Sequence, residues 1–177
     1  MRHLVIAAFI LVIASCASVT TSYDYDKTAD FSKYKTYAYT EHALEMPEVQ
    51  QLDRGRILAA IDAEMAKRGY TKSDSPDVFV EAFVKTEEEI SATATSTGGY
   101  GMYGYGYGWG GGSTYIDYNK YTKGTLFINV IDKAAEKIVW QGRGTKTLNE
   151  TASPERKEAN IKSAIASIYY NYPKVKK

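Results

Sequence analysis

Residues 77–84, DVFVEAFV, and residues 124–131, GTLFINVI, are the two segments that decide the fold. Both are rich in β-branched and aromatic side chains, and the first is apolar on both faces at its start, as a central strand is. Residues 85–97 continue the first segment as a more polar extension. We predict that residues 77–131 form one long antiparallel hairpin whose outer half and tip stand away from the core.

Two further strands are predicted on either side of this hairpin. Residues 34–39, YKTYAY, alternate aromatic with small or polar side chains over most of their length and predict the first strand of the fold. Residues 137–148 predict the last strand, after a short loop at residues 132–136. Ile138 and Trp140 are expected to share one face of that strand, with Trp140 in the core.

Two helices are predicted from apolar side chains that recur every three or four residues. The first covers residues 46–68 and ends at Gly69, because glycine readily adopts the left-handed conformation that stops a helix. The second starts with Ser153 as the N-cap and Pro154 at the first helical position. The apolar stripes are Ile57, Leu58, Ile61 and Met65 in the first helix, and Ile161, Ile165, Ile168 and Tyr172 in the second.

The predicted order of elements is β-α-β-β-β-α. A right-handed crossover through the first helix makes the first two strands parallel neighbours, and the remaining strands pair antiparallel. We therefore predict an α+β fold. It is a two-layer sandwich with a mixed four-stranded sheet, two helices on one face and a protruding Gly/Tyr-rich hairpin tip.

The first sixteen residues have the pattern of a lipoprotein signal peptide. A positive start is followed by eleven apolar residues at positions 4–14, which as a helix span only about 16 Å, too short to cross a bilayer. The run ends in Ile13-Ala14-Ser15-Cys16, the lipobox of bacterial lipoproteins. We predict a cleaved signal peptide at 1–15, a lipidated Cys16 with a tether at 16–23, and one domain at 24–177. An ordinary secretory signal with a chance cysteine is the alternative.

The residues after Cys16 favour an outer-membrane location, with the domain lipid-anchored and facing the periplasm of a diderm bacterium. Ala17 stands where an Asp would resemble an inner-membrane retention signal, and no acidic run follows. Two or three acyl chains anchor a protein almost permanently, since each buried CH₂ contributes about 0.8 kcal/mol. The covalent lipid on Cys16 is the one added group expected, with no cofactor and no metal.

Charge and composition narrow the classes of function. The chain has 22 Lys and Arg against 21 Asp and Glu, and cleavage removes Arg2, so the mature net charge is zero and no nucleic-acid partner is expected. One Cys and two His are too few for a disulfide framework or a Cys-rich zinc site. Neither G-x-S-x-G nor H-E-x-x-H occurs, and no His is placed to activate a Ser or Thr. We therefore expect that the protein is not an enzyme.

Three polar motifs have a structural interpretation beside a functional one. His42 is expected to be an exposed loop residue, because a metal site needs partners at ligand spacing. Asp24, Asp26 and Asp30 resemble half a calcium loop but lack its glycine turn and terminal Glu. The acidic run at residues 87–89 is expected to be a solvated face that discourages edge aggregation, with a cation or a basic partner as the alternative.

Residues 98–112, GGYGMYGYGYGWGGG, lie in an insertion at about 96–113 and have the most functional promise. Nine of these fifteen residues are glycine, so ordering them costs much entropy and a passive mobile loop is one interpretation. Aromatic rings offer contact area at little rotamer cost, so contact with an envelope protein, a glycan or the membrane interface is the other. The five candidate contact residues are Tyr100, Tyr103, Tyr105, Tyr107 and Trp109.

Three groups of residues resemble motifs of one family. Tyr25-Asp26 and residues 31–38, FSKYKTYA, resemble the opening motif of the domain of unknown function 4136 (DUF4136) family of bacterial lipoproteins. Its second signature is similar to residues 124–126, 130–132 and 139–142, and its closing Tyr-Pro to Tyr172-Pro173. The resemblance runs from about Tyr23 to Pro173. The family has no established activity, so the resemblance implies no catalytic residues.

The sequence therefore favours a non-enzymatic outer-membrane lipoprotein whose periplasmic domain binds or scaffolds a component of the cell envelope. The alternative is a glycan- or peptidoglycan-binding module that uses the aromatic Gly/Tyr loop. An enzyme would need a site assembled from carboxylates and tyrosines that spacing along the chain does not reveal.

Overall fold

The computed structural model describes residues 19–96, 114–148 and 151–173. As predicted, they form an α+β fold with a mixed sheet. The strands are β1 (Thr20–Tyr25), β2 (Thr36–Tyr39), β3 (Thr71–Lys72), β4 (Val78–Ser96), β5 (Thr114–Asp132) and β6 (Lys137–Thr147). The helices are α1 (Glu41–Glu45), α2 (Gln51–Lys67) and α3 (Pro154–Tyr169), and a 3₁₀ turn covers Phe31–Lys33.

The sheet of the described residues has six strands in the order β1-β6-β5-β4-β2-β3, so the predicted four-stranded sheet is wrong. The two extra strands are β1 and β3, which lie at opposite edges. The element order is β-β-α-α-β-β-β-β-α rather than β-α-β-β-β-α. The predicted parallel pairing of the first and central strands is confirmed, because β2 runs parallel to β4.

Strand β1 occupies a stretch that the sequence assigned to the tether. It pairs antiparallel with β6, from Thr20 opposite Thr145 to Tyr25 opposite Trp140. This pairing gives the outer edge of β6 its hydrogen-bond partners, which explains why a short polar segment becomes a strand. Residues 20–23, part of the predicted tether, therefore belong to the sheet.

The long hairpin is confirmed over its described residues. β4 and β5 pair from Val78 opposite Asp132 to Ser96 opposite Thr114. β6 accompanies β5 only as far as Lys123, and β2 accompanies β4 only as far as Val80. Residues 88–96 and 114–122, called the ribbon below, therefore pair with each other and with no other described strand, although the Leu148 amide donates to the Thr122 carbonyl oxygen at the base of the ribbon at 2.9 Å. The predicted Gly/Tyr-rich tip lies outside the described residues.

The ends of the two long helices follow local chemistry. At α3 the Ser153 hydroxyl accepts a hydrogen bond from the Arg156 amide at 3.3 Å, which confirms the predicted cap. Gly69 has φ of 85°, as expected of a residue that stops α2. However, α2 begins at Gln51 and not at Met46, since Met46 is left-handed with φ of 33° and separates α1 from α2.

The core lies between α2, α3 and one face of the sheet. α3 approaches β6 closely at Gly142, where a Cβ would lie 2.6 Å from Cγ2 of Ile168 and 2.8 Å from Cζ2 of Trp140. Trp140 is fully buried, as predicted, and its ring stacks on Tyr169 at 5.1 Å. None of the helices in the described part of the chain is long and apolar enough to cross a membrane.

The predicted shared face of Ile138 and Trp140 is wrong. Val130 lies opposite Trp140, whereas the next residue, Ile131, lies opposite Ile138, so Val139 is an extra residue in a β-bulge. The bulge shifts the alternation of side chains. As a result Val139 and Trp140 are both buried and Ile138 is exposed.

Candidate functional site

The residues that the sequence singled out for function, Cys16 and the rings from Tyr100 to Trp109, lie outside the described residues. The structure does describe where both attach. Thr20 follows Cys16 by four residues and pairs with Thr145 of β6. Thr145 pairs in turn with Thr125 of β5, and Thr125 with Lys85 of β4, so these four residues form one row across the sheet. The ribbon continues from that same end of the sheet. The two predicted sites are thus attached to one end of the domain.

A groove lined with aromatic side chains lies beside edge strand β1. Its volume is about 410 Å³, and its lining consists of Tyr23, Tyr25, Tyr170, Asn171, Tyr172 and Pro173. The rings of Tyr23 and Tyr25 are parallel to within 10° with centroids 6.4 Å apart. Their exposed fractions are 47% and 39%, and that of Tyr170 is 79%. Among the described residues, the lining of the groove thus has three exposed phenol rings and no charged side chain.

The β-strand period explains the position of these rings. Tyr23 lies opposite Gly142 and Tyr25 opposite Trp140, so both point to the helix-bearing face of the sheet. The residues that follow α3 supply the opposite wall. Tyr172, by contrast, is buried, and its hydroxyl lies 2.8 Å from that of Tyr70. Burial raises the pKa of Tyr172 above its ordinary value, so its phenol is neutral.

Residues of the three family-like motifs meet beneath this groove. The Tyr34 hydroxyl donates to Oδ2 of Asp132 at 2.6 Å, which joins the first motif to the second. The ring of Tyr172, in the closing motif, lies 5.7 Å from Phe31 and 5.0 Å from Trp140. The side chains of these motif residues therefore pack and hydrogen-bond with one another at one end of the core.

The side chain of Asp77, just before β4, forms hydrogen bonds with two residues of the first motif. Its carboxylate accepts hydrogen bonds from the amide of Lys35 at 2.8 Å and from the amide and hydroxyl of Thr36 at 2.9 Å each. The bonds from the amides of Lys35 and Thr36 lower the pKa of Asp77. This carboxylate therefore fixes the start of β2.

A carboxylate on α2 links this helix to β2. Oδ1 of Asp62 accepts from the hydroxyls of Tyr37 and Tyr39 at 2.7 Å each, and Oδ2 accepts from Nζ of Lys72 at 2.8 Å. Burial alone would raise the pKa of Asp62, but the hydrogen bonds from Lys72 and the two phenols lower it overall. The carboxylate is therefore charged at neutral pH and has its partners in place.

The sheet face opposite the helices carries a row of paired side chains across β4, β5 and β6. The rings of Phe83 and Phe127 stack at 4.9 Å. Next to them, the Asn129 amide donates to Glu81 at 2.7 Å and its carbonyl oxygen accepts from Gln141 at 2.8 Å. Sequence reasoning singled out none of these residues, because their partners lie on other strands.

The acidic run at the base of the ribbon is partly neutralised. Glu89 accepts from Nζ of Lys123 at 2.7 Å and from the Tyr121 hydroxyl at 2.8 Å. Hydrogen bonds from Lys123 and Tyr121 lower the pKa of Glu89. Glu87 and Glu88 are exposed, as predicted for a solvated face. The alternative of a bound cation or a basic partner stays a prediction.

The two weaker metal candidates occupy local turns. Asp26 bonds to Thr28 and to Lys137 Nζ, the latter at 2.7 Å, and Asp30 caps the 3₁₀ turn through the amide of Ser32. His42 is exposed, on α1 rather than in a loop, with its ring 6.2 Å from that of Phe83. Among the described residues, no three His, Cys, Asp or Glu side chains are grouped to hold a metal ion.

Sequence reasoning missed the groove for an identifiable reason. Tyr23 and Tyr25 alternate along the chain, which is a strand signal, but this alternation covers only residues 23–25. The contribution of Tyr170 depends on how the chain turns after α3. The clue that was available is the number of tyrosines, 16 in 177 residues.

A family model covers most of the chain, including the residues of the three motifs. The model, described as a domain of unknown function (DUF4136), matches residues 21–174. The chain belongs to the DUF4136 family. The match begins one residue into β1 and ends one residue after Pro173, so the DUF4136 domain includes both walls of the groove.

Solved structures similar to this DUF4136 chain share only low sequence identity with it. A PDZ domain protein from Parabacteroides distasonis is 16% identical with a TM-score of 0.51, over 87% of this chain and 36% of that one. This chain thus spans about a third of that protein, and the likeness shows the fold alone.

Two structures of the PelC dodecamer from Paraburkholderia phytofirmans, one of them of a variant, are 11% and 12% identical, with TM-scores of 0.48 and 0.47. Each match covers 86% of this chain and 95% of that one. No curated protein matches the DUF4136 chain in sequence.

Proposed function

We propose that this chain is a lipoprotein of the outer membrane, anchored through Cys16 and facing the periplasm, whose domain binds or scaffolds a component of the cell envelope without catalysing a reaction. The lipobox supports the anchor. The single observation that carries the proposal is that β1 begins at Thr20, four residues after Cys16.

The short connection sets how far the domain stands from its anchor. Four residues reach at most about 14 Å when fully extended. The DUF4136 domain is therefore held at the membrane surface, not on a long flexible stalk. This placement suits a domain that binds or scaffolds something fixed in the envelope.

The aromatic groove is the described surface best suited to a partner. Tyr side chains give large contact area at low entropic cost and offer a hydroxyl at the rim. The residues that line the groove in the described part of the chain include no carboxylate and no imidazole for general acid–base chemistry. This composition supports a binding role over an enzymatic one.

A glycan is the second candidate partner, and a specific feature favours it. Flat exposed rings suit the apolar faces of sugars, and Tyr23 and Tyr25 already lie parallel at the edge of the groove. The proposed peptidoglycan-binding module would combine these rings with Tyr100, Tyr103, Tyr105, Tyr107 and Trp109 of the Gly/Tyr segment.

In-cell cross-linking followed by mass spectrometry of captured partners tests the binding role. The full chain is compared with a groove variant, Tyr23→Ala with Tyr25→Ala, and with a deletion of residues 98–112. Loss of one reproducible envelope partner in either variant supports the proposal and identifies the surface. Capture of the same proteins by all three forms contradicts both proposed contact surfaces.

Binding to purified peptidoglycan sacculi separates the two candidates. The glycan version predicts that the chain co-sediments with sacculi and that Tyr23→Ala with Tyr25→Ala reduces the bound fraction. Leu52→Ala, at an exposed position on α2, is the matched control and should leave binding unchanged. Binding that survives removal of the groove rings and of all five segment rings contradicts the glycan version.

A further inference from the structure

The strand register fixes which end of the domain faces the anchor. Thr20 lies level with Lys85 across four strands, and the ribbon extends beyond Lys85 to Ser96. At about 3.3 Å per residue, Ser96 lies about 36 Å beyond the row that contains Thr20. The anchor and the ribbon are therefore at the same end of the sheet, and the ribbon reaches further than the tether can.

The opposite orientation is excluded by sterics and charge. If the ribbon pointed away from the membrane, Val78 and Asp132 would lie about 23 Å below Thr20. A tether of at most about 14 Å would then place that end of the sheet inside the bilayer. The turn there carries the exposed charges of Lys133, Glu136 and Lys137, which do not enter hydrocarbon without a large cost.

The composition of the ribbon agrees with this orientation. Residues 90–116 contain no Asp, Glu, Lys, Arg or His. Ile90 and Ile116 are 62% and 53% exposed. Ile116 pairs with Ala94, four residues after Ile90, so both isoleucines lie on one face of the ribbon. Two charged residues pair with this stretch from the other strand: Lys120 lies directly opposite Ile90, and Asp117 lies opposite Thr93. The described part of the ribbon beyond Asp117, residues 94–96 and 114–116, is therefore uncharged.

The aromatic residues of the same stretch also favour contact with a membrane. Tyr and Trp are enriched at the membrane–water interface, where an apolar ring and a polar atom are both satisfied. Residues 97–113 lie outside the described part of the chain, and their sequence adds four Tyr and one Trp without any charge.

From this register and composition we infer that the ribbon lies against the phospholipid bilayer that holds the anchor, with Ile90 and Ile116 at the lipid interface. The inference rests on the proposed lipidation of Cys16. Because the ribbon extends further from the row of Thr20 than the tether can reach, the end of the ribbon meets the membrane. The two ribbon strands must therefore either lie close to the membrane plane or enter the interface. The charged turn at residues 133–137 then faces away from the lipid.

The test labels an introduced cysteine. The chain has a single native cysteine, Cys16, whose thiol is blocked by the proposed lipid. Ile116→Cys therefore provides one free thiol for a fluorophore in the ribbon, and Lys133→Cys provides one at the opposite end of the sheet. Each lipidated chain is placed in vesicles of phosphatidylethanolamine with a minor share of phosphatidylglycerol. Quenching by aqueous iodide is compared with that of the same labelled position in a soluble chain without the signal peptide and with Cys16→Ser.

We expect the label at 116 to be quenched at least about threefold less on vesicles than in the soluble chain, because the interface excludes iodide. The label at 133 should be quenched equally in both. Equal quenching at 116, or equal protection at both positions, overturns the inference. Protection at 116 that disappears when the protein is diluted in lipid identifies contact between copies and also overturns it.

Flotation and palmitate labelling of the same samples separate this inference from the proposed anchor. A chain that floats with the vesicles but leaves position 116 open to iodide contradicts the ribbon contact alone. A chain that carries no palmitate and does not float contradicts the anchor, and the ribbon contact with it.

Discussion

The Tyr34 hydroxyl and the Asp132 carboxylate, 98 residues apart, form a buried hydrogen bond of 2.6 Å. The amides of Ala134 and Ala135 also donate to this carboxylate, at 2.8 and 2.9 Å. The bond connects the turn before β2 with the end of β5. Two motifs that are far apart along the chain are thus joined in one structural unit.

Two Tyr→Phe substitutions should have opposite effects on stability. Tyr34→Phe removes a hydrogen bond to a charged group and should lower the free energy of unfolding by about 1.5–3 kcal/mol. Tyr169→Phe should leave it unchanged or raise it by up to about 1 kcal/mol, because the buried Tyr169 hydroxyl has no hydrogen-bond partner among the described residues.

Urea unfolding of the soluble domain measures both changes. Tyr170→Phe is the control, since Tyr170 is exposed and the loss of its hydroxyl should change stability by less than about 0.5 kcal/mol. Equal losses for Tyr34→Phe and Tyr169→Phe would show that the Asp132 bond contributes nothing specific.

The stability of the domain should fall in acid. The hydrogen bond from Tyr34, with those from the Ala135 and Ala134 amides, lowers the pKa of Asp132 below its usual value of 3.8. A carboxylate whose folded-state pKa is lowered stabilises the fold above its unfolded-state pKa and loses that contribution as pH falls through the folded-state value. The pKa values of Asp62, Glu64 and Asp77 are lowered too.

Urea midpoints from pH 7 down to the acid transition test this dependence. Asp132→Asn should be less stable than the parent at pH 7, and the gap between the two should narrow as pH falls below the usual pKa of 3.8. A gap that stays constant or widens in acid is incompatible with a lowered pKa at Asp132.

Two Gly→Ala substitutions test the contact between α3 and β6. Gly142→Ala should destabilise the domain by about 1–3 kcal/mol, because the new Cβ would overlap Ile168 and Trp140. Gly55→Ala on α2 should stabilise it by up to about 1 kcal/mol, since no heavy atom lies within 4 Å and alanine favours the helix. Thermal unfolding of both variants checks the pair. A neutral Gly142→Ala would rule out the close packing of α3 on Trp140.

The sequence predicted those elements whose signal is local. The apolar run predicted the first part of β4 at residues 77–84. The end of α2 was predicted from Gly69, and the start of α3 from Ser153-Pro154. Ile57, Ile61 and Met65 of the α2 stripe are buried, because a 3.6-residue period requires only the helix itself and one apolar surface to face.

The errors concern elements that other parts of the chain stabilise. β1 and β3 exist because an exposed edge of β6 or β2 offers hydrogen bonds, which no local pattern in a two- or six-residue segment shows. Met46 breaks the predicted helix in a left-handed conformation that sequence rules reserve for glycine and asparagine. The bulge at Val139 likewise depends on how β6 aligns with β5.

The candidate site was predictable only in part. The lipobox could be predicted from sequence because signal processing acts on short linear motifs, and the lipidation of Cys16 stays a prediction. The groove could not, since its walls are formed by residues 23–25 and 170–173, which only the fold brings together.

The most direct measurement for the proposed anchor is intact mass spectrometry of the mature N-terminal peptide, isolated from the membrane fraction of cells that make the full chain. We predict that the peptide begins at Cys16 and carries a diacylglyceryl group on its sulfur, and that Cys16→Ser abolishes both the lipid and membrane association. A mature chain that begins at any other residue, or whose Cys16 thiol is free, would contradict the account.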